Sequence, residues 1–240
     1  MGKRQMLQRR GRGGSVFKAP TWRRVGRVMY SSILPEEKTS SVEFIIKDIA
    51  HESGRGAPVA TVARKDGATS RMIAPEGLYV GQRIFYGAAA PLNTGNVLPL
   101  NVIPEGTLIC NIEGRVGDGG KFVRSAGGYA TLVSHTPDGV LCMFPSGAIK
   151  AFDSMCRATV GIVASGGIVE KPMLKAGTSY HKWRARSRHY PTNRGKSMSP
   201  YAHPHGGGSH QRGSTPVSRN APPGQKVGII ASRRTGRRKK

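Results

Sequence analysis

The run His203-Pro204-His205-Gly206-Gly207-Gly208-Ser209-His210 places three imidazoles within eight residues. Imidazole nitrogens ligate zinc, carry protons near neutral pH, and donate to phosphate or base edges. A metal site or a proton relay needs further partners, and no Cys, Asp or Glu stands nearby in sequence. The three consecutive glycines instead imply a loop pressed against something bulky, with the histidines donating to phosphates or bases. A His-dependent metalloenzyme is therefore the weaker reading of this run.

A second group lies upstream. His181-Lys182-Trp183-Arg184-Ala185-Arg186-Ser187-Arg188-His189-Tyr190 interleaves cations with flat rings. Guanidinium forks grip phosphate oxygens, and rings or Arg planes stack on unpaired bases. A third group, Gly114-Arg115-Val116-Gly117-Asp118-Gly119-Gly120 followed by Arg124, would let a backbone approach a phosphate closely. It fits neither of the glycine-rich nucleotide fingerprints, so flexible turns are its equal alternative. There is no G-x-S-x-G, no H-E-x-x-H and no paired carboxylate motif, and acids such as Glu43, Asp48 and Glu52 read as surface or edge-strand residues.

The charge distribution decides between these chemistries. Residues 1–35 hold nine Lys/Arg and no acid, and residues 171–240 hold seventeen Lys/Arg and no acid. The residues between carry twelve basic and thirteen acidic side chains, so the net charge of +25 belongs almost wholly to the two ends. Solvated faces mix signs, whereas an acid-free stretch of this length points to a long polyanion as partner.

Cys110, Cys142 and Cys156 have no C-x-x-C spacing and are odd in number, which suits buried reduced thiols rather than disulfides. The basic N-terminus lacks an apolar stretch behind it, and Val160–Val169 is too short and Gly-rich to span a bilayer. These features suit a soluble intracellular protein without a membrane partner.

The elements that must position the candidate groups are short strands. Ser41–Ala50, Pro58–Arg64, Ser70–Ala74 and Arg83–Tyr86 are rich in Val, Ile, Phe and Tyr, with Asp66-Gly67 as a hairpin turn. After a linker at Ala90–Pro104 come Thr107–Glu113, Gly128–His135, Gly139–Phe144, Gly147–Phe152 and Arg157–Val163, with turns marked by Asp138-Gly139 and Ser146-Gly147. This spacing predicts a mainly β protein of two consecutive small barrels, with one larger sandwich as the competing arrangement. Residues 1–24 should be irregular when free. Residues 181–190 should form a short helix or an extended strip ended by Pro191, and Ser197–Arg219 should lack regular structure.

Several segments together carry a family resemblance. They are Ser53-Gly54-Arg55-Gly56-Ala57-Pro58, Leu92-Asn93-Thr94-Gly95-Asn96-Val97-Leu98-Pro99-Leu100, Arg124-Ser125-Ala126-Gly127, Cys156-Arg157-Ala158-Thr159-Val160-Gly161, Lys175-Ala176-Gly177, and His203 through Gln211. With these, the chain resembles large-subunit ribosomal protein two, the universal L-two family, in its archaeal or eukaryotic-cytosolic form. The resemblance covers nearly the whole chain. It implies an OB-fold barrel followed by an SH3-like barrel, both on large-subunit ribosomal RNA, with basic extensions threading the RNA. It further implies a structural, non-enzymatic place beside the peptidyl transferase centre, a part in joining the subunits, and location in the cytoplasmic ribosome. Bacterial members carry an acid before the first histidine; here that position is Ala202, and Met198-Ser199-Pro200-Tyr201 also departs from the commoner spelling. Without a carboxylate to orient it, a general-base role for His203 is weakened.

The expected organisation is a basic extension at 1–24, an OB-like barrel at 25–103, an SH3-like barrel at 104–178 and a basic extension at 179–240. Expected RNA contacts are Arg9, Arg10, Arg12, Arg23, Arg24, Arg124, Lys182, Arg184, Arg186, Arg188, His203, His205, Arg233, Arg234, Arg237 and Arg238. Expected partners are large-subunit rRNA, neighbouring ribosomal proteins and the small subunit, with no cofactor, no metal and no homo-oligomer. A non-ribosomal OB module on single-stranded nucleic acid is the alternative.

Overall fold

A computed structural model describes residues 2–168, 170–208 and 216–232. The chain forms two compact units: residues 21–173, and the two ends together, 1–20 with 174–240.

The central unit is built on ten strands: β1 (Val42–Ala50), β2 (Val59–Arg64), β3 (Thr69–Ile73), β4 (Arg83–Tyr86), β5 (Val97–Pro99), β6 (Leu108–Cys110), β7 (Ala130–Thr136), β8 (Gly139–Met143), β9 (Ile149–Phe152) and β10 (Arg157–Val160). Alternation sets their faces: Val42, Phe44 and Ile46 of β1 are buried while Glu43 and Ile45 between them are half-exposed. The turns are where the sequence places them. Gly67 closes β2 to β3 at a φ of 87°, and Gly139 opens β8 at 142°. A Cβ at Gly139 would collide with the Phe152 carbonyl, so only glycine lets β8 and β9 close here.

The strands hydrogen-bond in one sheet of order β3-β2-β1-β4-β5-β10-β6-β7-β8-β9. Its two halves fill separate cores. Tyr30, Phe44, Ile46, Met72, Ile84 and Tyr86 fill the first. Leu98, Leu100, Ile103, Ile109 and Leu132 fill the second. This is the mainly β architecture of an OB-like set followed by an SH3-like set.

One expectation fails here. Ala90–Pro104 is not a linker. It contains β5, which pairs parallel with β4 (Tyr86 opposite Val97) and antiparallel with β10 (Leu98 opposite Ala158). Leu98, Leu100 and Ile103 are at most 1% exposed. Three Pro, three Asn and a Gly break up this stretch, but burial of three large aliphatic side chains outweighs local turn propensity. The second half therefore begins inside the stretch that looks like a spacer.

The terminal unit contains α1 (Met6–Arg10), α2 (Ala176–Ala185) and the paired two-residue strands β11 (Pro216–Val217) and β12 (Ile229–Ile230). The N-terminal arm is thus not irregular throughout. The Lys3 N–H donates to the Tyr201 carbonyl at 2.9 Å, and Gln5 Nε2 donates to that of Ala202 at 3.1 Å. Tertiary bonds of this kind order a segment whose composition alone would not. β11 likewise interrupts the stretch expected to lack regular structure. Among the described residues no helix is long and apolar enough to cross a membrane.

Candidate nucleic-acid interface

α2 presents the basic–aromatic strip. It carries Tyr180, Lys182, Trp183 and Arg184 with no acid in its first turn. The helix ends at Ala185, six residues before Pro191, because Ser187 adopts a left-handed φ of 58° and the Arg188 N–H returns to the Trp183 carbonyl at 2.9 Å. That turn folds Arg188 back: its guanidinium carbon lies 5.2 Å from the Trp183 ring centre, and Lys182 Nζ lies 5.8 Å away. Arg184 reaches the Tyr180 hydroxyl, one turn earlier, at 3.1 Å. Arg184 and Arg188 are exposed, Lys182 and Arg186 half-buried. Cations held against rings in this way offer fork donors and stacking planes on one short segment. Three of the four predicted contacts of this strip, Lys182, Arg184 and Arg188, are therefore brought together on its rings, and Arg186 stands at the end of the helix.

The histidine run is a closed loop. The His203 N–H donates to the Ser199 carbonyl at 3.1 Å, and the Gly206 N–H to that of His203 at 2.9 Å. A Cβ at Gly206 would overlap the Met198 and Ser199 backbone, and one at Gly195 would overlap the His203 ring. The glycines are there because backbone and imidazole pack directly on them. Inside the loop the His205 N–H donates to His203 Nδ1 at 3.1 Å, with the two rings 4.9 Å apart. Burial, with the neighbouring His205, holds His203 below the ordinary histidine range. The bond from the His205 N–H makes Nδ1 the acceptor, which leaves Nε2 as the donor side of the ring, suited to a phosphate or carbonyl oxygen. His210 lies outside the described residues, as do Arg233, Arg234, Arg237 and Arg238. Among the described residues no group of three His, Cys, Asp or Glu could hold a metal.

Arg9, Arg10 and Arg12 are exposed at the end of α1 and just beyond it. Lys3, Arg4 and Arg9 line, with His189, His203, Phe17 and Met198, a cavity of about 580 Å³. Lys3 and Arg4 are candidate contacts missing from the expected set. Their signal in the sequence is membership of the acid-free arm.

Other predicted contacts are drawn into the central unit. Arg124 donates to the Gly120 and Val28 carbonyls at 2.8 and 2.6 Å, and burial lowers its pKa. Arg24 lies 3.3 Å from Glu52, which Arg55 also approaches at 3.2 Å. Glu52 is 1% exposed, so it is an interior anchor rather than a surface acid. Only Arg23 of this group remains exposed.

The glycine cluster is occupied from within. Asp118 accepts the N–H groups of Gly114, Arg115 and Gly120 at 3.0–3.2 Å. Glu113 accepts those of Gly117 and Gly119 at 3.3 and 3.1 Å. The donors a phosphate would need already hold carboxylates of the chain itself, so the turn alternative stands. The three thiols are buried and free, and burial pushes Cys110 up to about 12 and Cys142 and Cys156 up to about 11.

Two family models match the chain: "Ribosomal Proteins L2, RNA binding N-terminal domain" over residues 3–86, and "Ribosomal Proteins L2, C-terminal domain" over residues 93–226. The chain is 55% identical over 240 residues to the large ribosomal subunit protein uL2 of Thermofilum pendens, covering 100% of this chain and 97% of that one. It is 55% identical over 239 residues to the uL2 protein of Pyrobaculum arsenaticum, covering 99% and 96%. It is 50% identical over 237 residues to that of Caldivirga maquilingensis, covering 99% and 93%.

Proposed function

The chain belongs to the L2 family of large-subunit ribosomal proteins, and on that premise we propose that its acid-free ends grip ribosomal RNA while its central β unit sets their register. Its role is structural, in the large ribosomal subunit. The observation that carries the division of labour is the strip on α2, where Lys182, Arg184 and Arg188 stand beside Tyr180 and Trp183 without a neighbouring acid. Affinity comes from Lys/Arg–phosphate contacts with counterion release, and positioning from the folded unit.

The histidine loop is a brace rather than a catalyst. His203 Nδ1 is occupied by the His205 amide, and Ala202 offers no carboxylate to raise the basicity of the ring. Its Nε2–H fits an RNA oxygen in the region of the peptidyl transferase centre. Small-subunit contact and a place in the cytoplasmic ribosome belong to the same reading, with the RNA as the reactive partner and no reaction assigned to the protein. Sedimentation of lysate tests it: the full chain should travel with large subunits and leave them only at high salt. A chain found free of particles at low salt would contradict the reading.

A further inference from the structure

One face of the sheet is built against the charge of the rest of the molecule. Register aligns Leu108 of β6, Thr131 of β7, Met143 of β8 and Ile149 of β9 in a single row. Leu108 is 37%, Met143 41% and Ile149 58% exposed. The next row on the same face, Ser134, Leu141 and Ala151, is likewise uncharged. Lys150 points the other way: it pairs with buried Cys142, and its Nζ lies 4.2 Å from the Phe122 ring centre. In a chain of net charge +25 neither of these rows carries a cation. The carboxylates nearby are Glu105, bonded to the His135 N–H at 3.0 Å, Asp138 in the β7–β8 turn, and Asp153 just after β9. All three are exposed and gather at one end of these strands.

The same strands end in an open edge. Among the described residues β9 is the last strand of the sheet and pairs only with β8. The Phe144 N–H bonds the Ala148 carbonyl at 2.9 Å, which fixes the alternation. Cys142–Lys150 and Val140–Phe152 are then the hydrogen-bonded pairs, so the N–H and C=O groups of Ile149 and Ala151 face outward. A polar edge beside an uncharged apolar row is the recognition surface of strand addition, in which backbone bonds give affinity and alternate side chains give specificity. RNA binding runs on cations, which these two rows lack.

We propose that β9 is extended by a strand from a neighbouring protein: an extended basic segment whose alternate apolar side chains cover Met143 and Ile149, and whose cations meet Glu105, Asp138 and Asp153. This rests on the chain's place in the large subunit. A second copy fits less well, because it would bring the same three carboxylates and the same Lys150 to the seam.

The test uses intact large subunits carrying the full chain with a photoreactive benzoylphenylalanine in place of Ile149, and separately in place of Arg186. The Ile149 probe should cross-link to one other protein, and the Arg186 probe to RNA. An Ile149 adduct with RNA, with a second copy, or with nothing overturns the strand-addition proposal. Loss of the RNA adduct at Arg186 counts instead against the RNA-binding role of the ends, so the two failures are distinct. Ile149→Lys gives an independent sign. It should lower occupancy of the neighbouring protein in purified subunits at least tenfold. Unchanged occupancy, or tighter binding of this chain to the particle, would mean that RNA covers the face.

Discussion

The Arg157 guanidinium lies between two buried carboxylates, with Nη2 2.9 Å from Glu113 Oε1 and Nη1 3.0 Å from Glu37 Oε2. Its backbone N–H also donates to Glu113 at 2.9 Å, and its Nη2 reaches the Ser31 carbonyl at 2.9 Å. Glu37 precedes β1, whereas Arg157 opens β10, so this ion triad ties the first half of the sheet to the second. Removing the cation strands two buried acids. Arg157→Met should cost about 3–5 kcal/mol, read by denaturant unfolding of the full chain. A loss below about 1 kcal/mol would show that the triad adds no more than an exposed pair does.

The pH dependence of that deficit has a definite sign. Burial raises the Glu37 pKa against the opposing pull of Arg157. A carboxyl raised on folding binds more protons in the native state, so its contribution to stability falls as pH rises from the ordinary carboxylate range to the raised value. Without Arg157 that window widens. The gap between wild type and Arg157→Met should therefore shrink as pH is lowered through it, and a gap that grows in acid would reverse the assignment.

Asp118 behaves oppositely. Burial opposes its ionisation, but the Gly120 amide, the Lys121 ammonium and the Gly114 and Arg115 amides outweigh it and lower its pKa. Asp118→Asn should cost about 1–3 kcal/mol at neutral pH. A lowered carboxylate stabilises above the unfolded pKa of about 3.9 and loses that contribution as pH falls through its folded value. The two stability curves should converge below about pH 4.

The histidine loop gives two further outcomes. Because burial and His205 lower the His203 pKa, the bond from the His205 N–H to Nδ1 persists above the lowered value and is lost as pH falls through it. Nitrogen NMR of the labelled chain should show His203 titrating below about 6.5, the ordinary value, with Nδ1 unprotonated at pH 7. His203→Gln should impair assembly or subunit joining more than the peptide-bond step measured on assembled particles. A selective collapse of that step in particles of normal composition would make the loop a chemical participant.

Gly206→Ala separates the loop from the central unit. A Cβ there meets the Met198 and Ser199 backbone, which cannot yield as a flexible side chain would. The variant should enter large subunits at least several-fold less well, while denaturant unfolding of the central unit stays within about 0.5 kcal/mol of wild type. Equal loss in both measurements would mean the substitution acts on global stability.

Local chemistry was legible where periodicity and turns agree. Arg83–Tyr86 is a strand as read, and the Asp66-Gly67 and Asp138-Gly139 turns fall where glycine allows φ beyond the reach of other residues. The reading failed where a distant partner decides. Val97–Pro99 looks like spacer until β10 arrives, and Glu52 looks like surface until Arg24 and Arg55 reach it. Arg124 shows the same limit from the other side, since its partner carbonyl at Val28 is remote in sequence. At the ends, composition located the basic strip of α2 but not the backbone bonds that join Lys3 and Gln5 to residues 201 and 202.

The central claim is that the acid-free ends hold the RNA. Its most direct measurement is the salt dependence of binding of the full chain to large-subunit rRNA, compared with a variant carrying Lys182→Gln, Arg184→Gln, Arg186→Gln and Arg188→Gln. Each phosphate left without its cation should reduce the slope of log K against log salt by about 0.7–0.9, so neutralising all four side chains should flatten it by about 3. An unchanged slope, with the variant folded and binding as before, would contradict the claim and place the phosphate grip elsewhere in the chain.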